Sequence, residues 1–163
     1  LSHTGLVVAI DLGDPDDIHP KNKRDLADRI ALWARRDVYG ERTLLTSGPL
    51  YRGAVCEGDR LRVRFDFVGS GLMTAVKDPL KIGQPPRPTP ELPLRGFSVL
   101  GEGGKWHWAK AEIDGNDVVV WAEGVRTPRA VRYAYQSNPA ESGSANLYNR
   151  EGLPAAPFSG EGW

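Results

Sequence analysis

The chain has one cysteine and one methionine. Cys56 cannot close an internal disulfide, so a disulfide scaffold is excluded and the redox compartment stays open. No charge of either sign is in excess. Lys+Arg and Asp+Glu both number 21, for a net charge of zero. That balance removes the electrostatic case for nucleic acid or an anionic membrane as partner. No apolar run approaches the roughly 18 residues that cross a bilayer. The opening "LSHTGLVVAI" has no Met and no signal-peptide pattern. There are no internal repeats. What remains is a globular composition: 163 residues, 40% apolar and 26% charged. That length suits one ordinary domain, or one domain plus a piece of another.

Three parts are expected. Residues 1–42 begin with "GLVVAI", which reads as a buried parallel-type strand. Such a strand needs neighbours on both sides, so the expectation is that the chain begins inside a larger protein. "HPKNKRDLADRIALWARR" follows as a helix. Pro20 suits its first position, and Leu26, Ile30 and Trp33 define one apolar face. Arg35 and Arg36 suit the dipole at its end, and Gly40 a stop. Strand, loop and helix make half of a βαβ unit. One strand and one helix bury little area, so this stub is expected to be disordered or sticky without a completing partner. Residues 43–135 change period. "DRLRVRFDFV" alternates, with Leu61, Val63, Phe65 and Phe67 on one face. "GFSVL", "KWHWAKAEI", "DVVVWAE" and "AVRYAY" read as further strands, and Asp114-Gly115-Asn116 as a hairpin turn. Together they predict an antiparallel β-sandwich. "KIGQPPRPTPELP" reads as an extended connection. Residues 136–163 lack periodicity but hold Leu147, Tyr148, Leu153, Phe158 and Trp163. They are expected to pack back as ordered loop.

The stretch that asks for an explanation is "DLGDPDDIHPKNK", residues 11 to 23. Asp11, Asp14, Asp16 and Asp17 precede His19 and a proline. In open α/β sheets, sites lie at the C-terminal ends of strands, where this loop would sit. A histidine with a carboxylate on its other ring nitrogen is a general base that relays a serine proton to a leaving group. Asp16 lies three residues before His19 and Asp17 two, so either reaches it if the loop turns back. The local residues also allow helix capping or a metal site. No HExxH and no EF-hand register supports the metal.

"VVAIDLGDPDDIHPKNKRDLADRIALWA" resembles the last βα segment of SGNH-type sialate O-acetylesterases. "GPLY", "RVRFDF", "FSVLGEGGKWHWAKAEIDGNDVVVWAEGVRTPRAVRYAY" and "NPAESGSANLYNREGLPAAPF" resemble the same family in the same order. "DIHPKNK" and "NLYNREGLPAAPF" are the specific stretches. The resemblance implies a mixed fold: the terminal strand–loop–helix of an SGNH, flavodoxin-like α/β hydrolase domain, then an antiparallel β-sandwich. It implies that His19 is the catalytic base. Asp-x-x-His selects Asp16 as the residue that orients it, and Asp-Ile-His keeps Asp17 as the alternate. It implies an O-acetylated sugar as substrate, no cofactor, and a secreted, periplasmic or lysosomal setting.

One block of that pattern is missing. The nucleophile should follow Gly-Asp, yet none of the serines at 2, 47, 70, 98, 137, 142, 144 and 159 does. The oxyanion-hole motifs are missing too. The chain is therefore expected to be the C-terminal portion of such an esterase, inactive alone, with a missing N-terminal segment as the partner that carries the serine. The competing reading is a non-catalytic carbohydrate-binding or interaction β-sandwich. Trp106 and Trp108, sharing a strand face, and Trp121 would then stack on sugars, although aromatics more often fill cores or interfaces. His107 reads as a surface residue, Cys56 as a small buried one. Asn146, Tyr148 and Asn149 have two readings, substrate contacts or, more commonly for such residues, turn and capping roles. His3 is too near the start to interpret.

Overall fold

The computed structural model describes residues 4–139 and 145–161. His3, Trp163 and the 140–144 part of the tail lie outside the described residues. Among the described residues there is one helix, α1 (Lys23–Asp37), followed by eleven short strands. β1 (Leu50–Glu57), β2 (Arg60–Asp66), β8 (Asp117–Trp121) and β7 (Lys110–Asp114) form one sheet in the order β1-β2-β8-β7. β11 (Phe158–Glu161), β9 (Ala130–Tyr133), β5 (Phe97–Leu100) and β6 (Trp106–Trp108) form a second, in the order β11-β9-β5-β6. A three-stranded sheet joins β10 (Leu147–Asn149), β3 (Leu72–Val76) and β4 (Arg87–Pro88). Every pairing is antiparallel.

The alternation in β2 does what its pattern predicts. Leu61 and Val63 are fully buried and Phe65 nearly so, while Arg60, Arg64 and Asp66 face water. Phe67 leaves that face, because the strand stops at Asp66 and Phe67 itself takes a φ of 59°. Val118 and Val120 of β8 and Val99 and Phe97 of β5 complete one core between the two larger sheets. Phe158 ties them together. Its ring stacks on Tyr51 of β1 at 4.5 Å and meets Phe65, Phe97 and Tyr133 edge-on or stacked at 5.9–6.3 Å. The β7–β8 hairpin pairs Asp114 with Asp117 across Gly115-Asn116. Gly115 has φ 62°, which a primed two-residue turn requires and glycine adopts without strain.

The expected α/β hydrolase segment is not there. The molecule is mostly antiparallel β-sheet, compatible with a β-sandwich, and residues 6–10 form no strand. A parallel strand needs ladder partners on both edges, and "LVVAI" has none among the described residues. Side chains of α1 take its carbonyls instead. Trp33 Nε1 donates to Leu6 O at 3.0 Å, and Arg29 Nη1 to Val8 O at 2.7 Å. Gly5 lets the backbone lie directly on the Trp33 ring, where a Cβ would collide.

The helix also differs from its expected form. It starts at Lys23, not Pro20, because Asn22 is the cap and its Oδ1 accepts from the Asp25 N–H. Its inward stripe is largely polar: Asn22, Asp25, Arg29 and Arg36, beside half-buried Leu26 and Trp33. Ile30 is left 52% exposed. The tail expected as loop packs back through two strands, β10 and β11.

Candidate active site

The acidic loop folds on itself through its own aspartates. Asp14 and Asp17 form an isolated antiparallel bridge, and the Asp16 N–H donates to Asp14 Oδ1 at 3.1 Å. That N–H, and then the Lys21 ammonium 3.4 Å away, hold the Asp14 carboxyl below its ordinary value against the opposing effect of burial. Asp17 makes the next turn. Its Oδ1 accepts the His19 backbone N–H at 2.8 Å and lies 3.2 Å from His19 Nδ1. The Asx turn thus brings the imidazole to the same carboxylate that shapes the backbone. The Asp16 carboxylate makes no hydrogen bond among the described residues. Nδ1 thus faces Asp17 while Nε2 is left toward solvent, and the His19 side chain is 79% exposed.

Below the loop lies a buried polar cluster. Arg29 forks onto Asp11, Nη1 to Oδ1 at 2.7 Å and Nη2 to Oδ2 at 2.8 Å. Tyr148 of β10 donates its hydroxyl to Asp11 Oδ2 at 3.0 Å. Burial, followed by the Asp11 charge, pushes the Tyr148 phenol far above its ordinary range, so it stays a donor. The start of the loop, the helix and the last part of the chain meet at one carboxylate.

A second hub fixes the helix entrance. Asn22 Nδ2 donates to Asp25 Oδ2 at 2.8 Å, the Gly83 N–H to Oδ1 at 2.7 Å, and buried Lys77 pairs with Oδ2 at 2.7 Å. Burial pushes the Asp25 carboxyl up, but Lys77, Asn22 and Gly83 outweigh it, and the net shift is downward. Lys77 also donates to the carbonyls of Lys81 and Gln84. The loop bearing His19 is therefore held between Asp11 and Asp25, one at each end.

In the sequence Asp11 is one of four aspartates, Tyr148 reads as a turn residue or substrate contact, and nothing marks the buried cluster they form with Arg29. Arg29 carries no local signal, since its partners lie on other segments. Asn22 did: Asn followed three residues later by Asp has the spacing of a reciprocal cap. Asn146 and Asn149 brace the tail. Asn146 spans the Arg95 N–H and the Pro93 carbonyl at 2.8 and 3.0 Å. Asn149 reaches the Ser47 and Phe67 carbonyls at 3.1 and 3.2 Å. Trp108 is 73% exposed rather than in the core, and Trp106 lies under the Arg132 guanidinium at 3.7 Å. Cys56 is exposed, not buried. Among the described residues no three His, Cys, Asp or Glu side chains converge as a metal-ligand set. Among the described residues no helix is long and apolar enough to cross a membrane.

Comparison with solved structures places this geometry. The chain resembles a carbohydrate acetylesterase. One match is the crystal structure of a novel carbohydrate acetylesterase from Xanthomonas citri, with 39% identity and a TM-score of 0.78. It covers 96% of this chain and 32% of that one, so the chain spans about a third of its neighbour's length. No family model matches the chain, and no curated protein matches it. A carbohydrate esterase relationship is thus supported over nearly the whole chain.

Proposed function

We propose that this chain supplies the histidine and aspartate of a serine-dependent carbohydrate O-acetylesterase that removes acetyl esters from sialic acid or a related sugar. The observation that carries the reading is the His19–Asp17 pair in a chain similar over 96% of its length to a carbohydrate acetylesterase. His19 Nε2 takes the proton of a serine hydroxyl as its oxygen attacks the acetyl carbonyl. The imidazolium, steadied by Asp17, returns that proton to the departing sugar oxygen. Water then repeats the exchange and frees acetate and the serine. Protein groups alone supply nucleophile and base, and the substrates are glycans outside the cytosol.

The serine comes from an esterase segment other than the residues described. Among those, the His19 ring bonds only to Asp17, and no serine of the sequence follows Gly-Asp. Leu6, Ile18 and Ile30 are 59%, 91% and 52% exposed on the opening segment, the loop and the helix. Exposed apolar groups of that kind suit a docked neighbour.

The test is acetate release from an O-acetylated sialic acid by this chain joined to a Gly-Asp-Ser esterase segment. His19→Ala is expected to lower kcat/KM by about 10²–10⁴. Asp17→Asn is expected to lower it more than Asp16→Asn does. Unchanged turnover in the His19 variant would sink the proposal. The chain alone is expected to release no acetate above background. Release that His19→Ala abolishes would overturn the shared-serine reading.

A further inference from the structure

A broad groove lies on the sandwich between β7, the edge strand of its sheet, and the proline-rich 87–95 stretch beside β3. Its volume is about 1110 Å³, and no residue of the acidic loop lines it. Drug-sized ligands fill roughly 300–1,000 Å³, so the space suits more than one sugar ring. Met73, Leu92 and Ile113 give it apolar walls, and Trp121 adds an aromatic one. The Arg60 guanidinium sits 4.5 Å from the Trp121 ring centroid and holds that ring in place.

The charges along the groove are lopsided in a chain whose net charge is zero. Arg95, Lys110 and Arg150 line it against a single carboxylate, Glu112. All three cations are exposed, and none carries an ion pair among the described residues. Unpaired guanidinium groups are suited to bidentate capture of carboxylates. The backbone argues against a peptide strand as the occupant. Pro88, Pro90 and Pro93 line the groove and have no N–H to give a ladder. On the other wall, Leu94 already bridges Ala111 of β7. An occupant must be read by side chains.

We propose that this groove binds an oligosaccharide bearing ring carboxylates. The carboxylates meet Arg95, Lys110 and Arg150, and the C–H faces of the rings lie on Trp121 and the apolar wall. The site is separate from His19 and needs no hydrolysis to operate.

The experiment is calorimetric titration of the full chain with trigalacturonate and with sialyllactose, against neutral cellotetraose and a hexaglutamate peptide. One carboxylated sugar is expected to bind at least about 10-fold tighter than cellotetraose, and to weaken as salt rises. Which of the two binds names the source of the carboxylate. Arg95→Gln with Arg150→Gln is expected to weaken that binding by about 10-fold or more, since hydrogen bonds to charged groups carry the contact. These side chains are exposed, so the fold should hold. Ile113→Trp, which puts a bulkier side chain on the groove wall, should weaken binding. His19→Ala should bind like the parent, which separates this site from the esterase reading. No binding by either acidic sugar overturns the proposal, as does equal binding by the arginine variants. So does hexaglutamate binding as tightly as the sugar, which would assign the groove to acidic peptides.

Discussion

At Asp11 one carboxylate receives both outer nitrogens of Arg29 and the hydroxyl of Tyr148. Side chains of Asp11 and Arg29 are 4% and 10% exposed, so neither ion is rescued by water if the other goes. Removing one partner of a buried pair typically costs about 3–5 kcal/mol. Arg29→Leu is expected to fall in that range by urea unfolding. Tyr148→Phe keeps the ring and removes only the donor, for about 1–3 kcal/mol. A cost under about 0.5 kcal/mol, the range of an ordinary surface change, would show that the hydroxyl does not hold Asp11. Asp25 adds a dependence on pH. Its carboxyl titrates lower in the folded protein than its ordinary 3.8. The contribution to stability is thus complete above that value and is lost as pH falls through the depressed one. Asp25→Asn should flatten the acid side of a stability-versus-pH curve, and an unchanged acid limb would remove Asp25 from that role.

At the scale of elements, α1 is a helix whose inward face is read by charge. Its cap, Asn22, is buried and bonds to both ends of Asp25. Asn22→Ala is expected to cost about 1–2 kcal/mol in thermal unfolding. Ile30→Glu, on the exposed side, should change this chain by no more than about 0.5 kcal/mol. In an assembled esterase it should lower acetate release, if the helix face is where the serine-bearing segment docks. These features explain what was legible beforehand. The alternating strand β2, the apolar run of β8 and the Gly115 turn were plain, because each depends on residues near in sequence. The run at 6–10 misled, because apolar composition says nothing about whether ladder partners exist. The helix face misled for a related reason. Leu26, Ile30 and Trp33 made a convincing stripe, while the packing followed Asn22, Asp25 and Arg29, whose partners Asp11, Lys77 and Gly83 lie elsewhere. In the acidic loop His19 stood out from its neighbours. Which aspartate reached it depended on an Asx turn that spacing alone left open between Asp16 and Asp17.

Across the whole molecule, the sandwich is closed by its last strands. Phe158 sits among Tyr51, Phe65, Phe97 and Tyr133, and the buried Tyr133 hydroxyl accepts the Leu147 N–H at 2.9 Å. Ending the chain at Gln136 would open that cluster and orphan the buried Tyr133 oxygen. Such a chain is expected to lose its cooperative thermal transition, as followed by near-ultraviolet circular dichroism. A retained sharp transition would show that β10 and β11 are accessory.

The contact between Asp11 and Tyr148 also sets an order in time. The two residues stand 137 positions apart. A ribosome releases the acidic loop before the tyrosine. Closing so long a span is slow, whereas Arg29, eighteen residues from Asp11, can reach it sooner. The histidine is thus made first and steadied last. A molecule clipped before Tyr148 by a protease would still display its imidazole, on a loop whose Asp11 mooring keeps Arg29 but has lost a hydrogen bond. The later segment thereby certifies the earlier one.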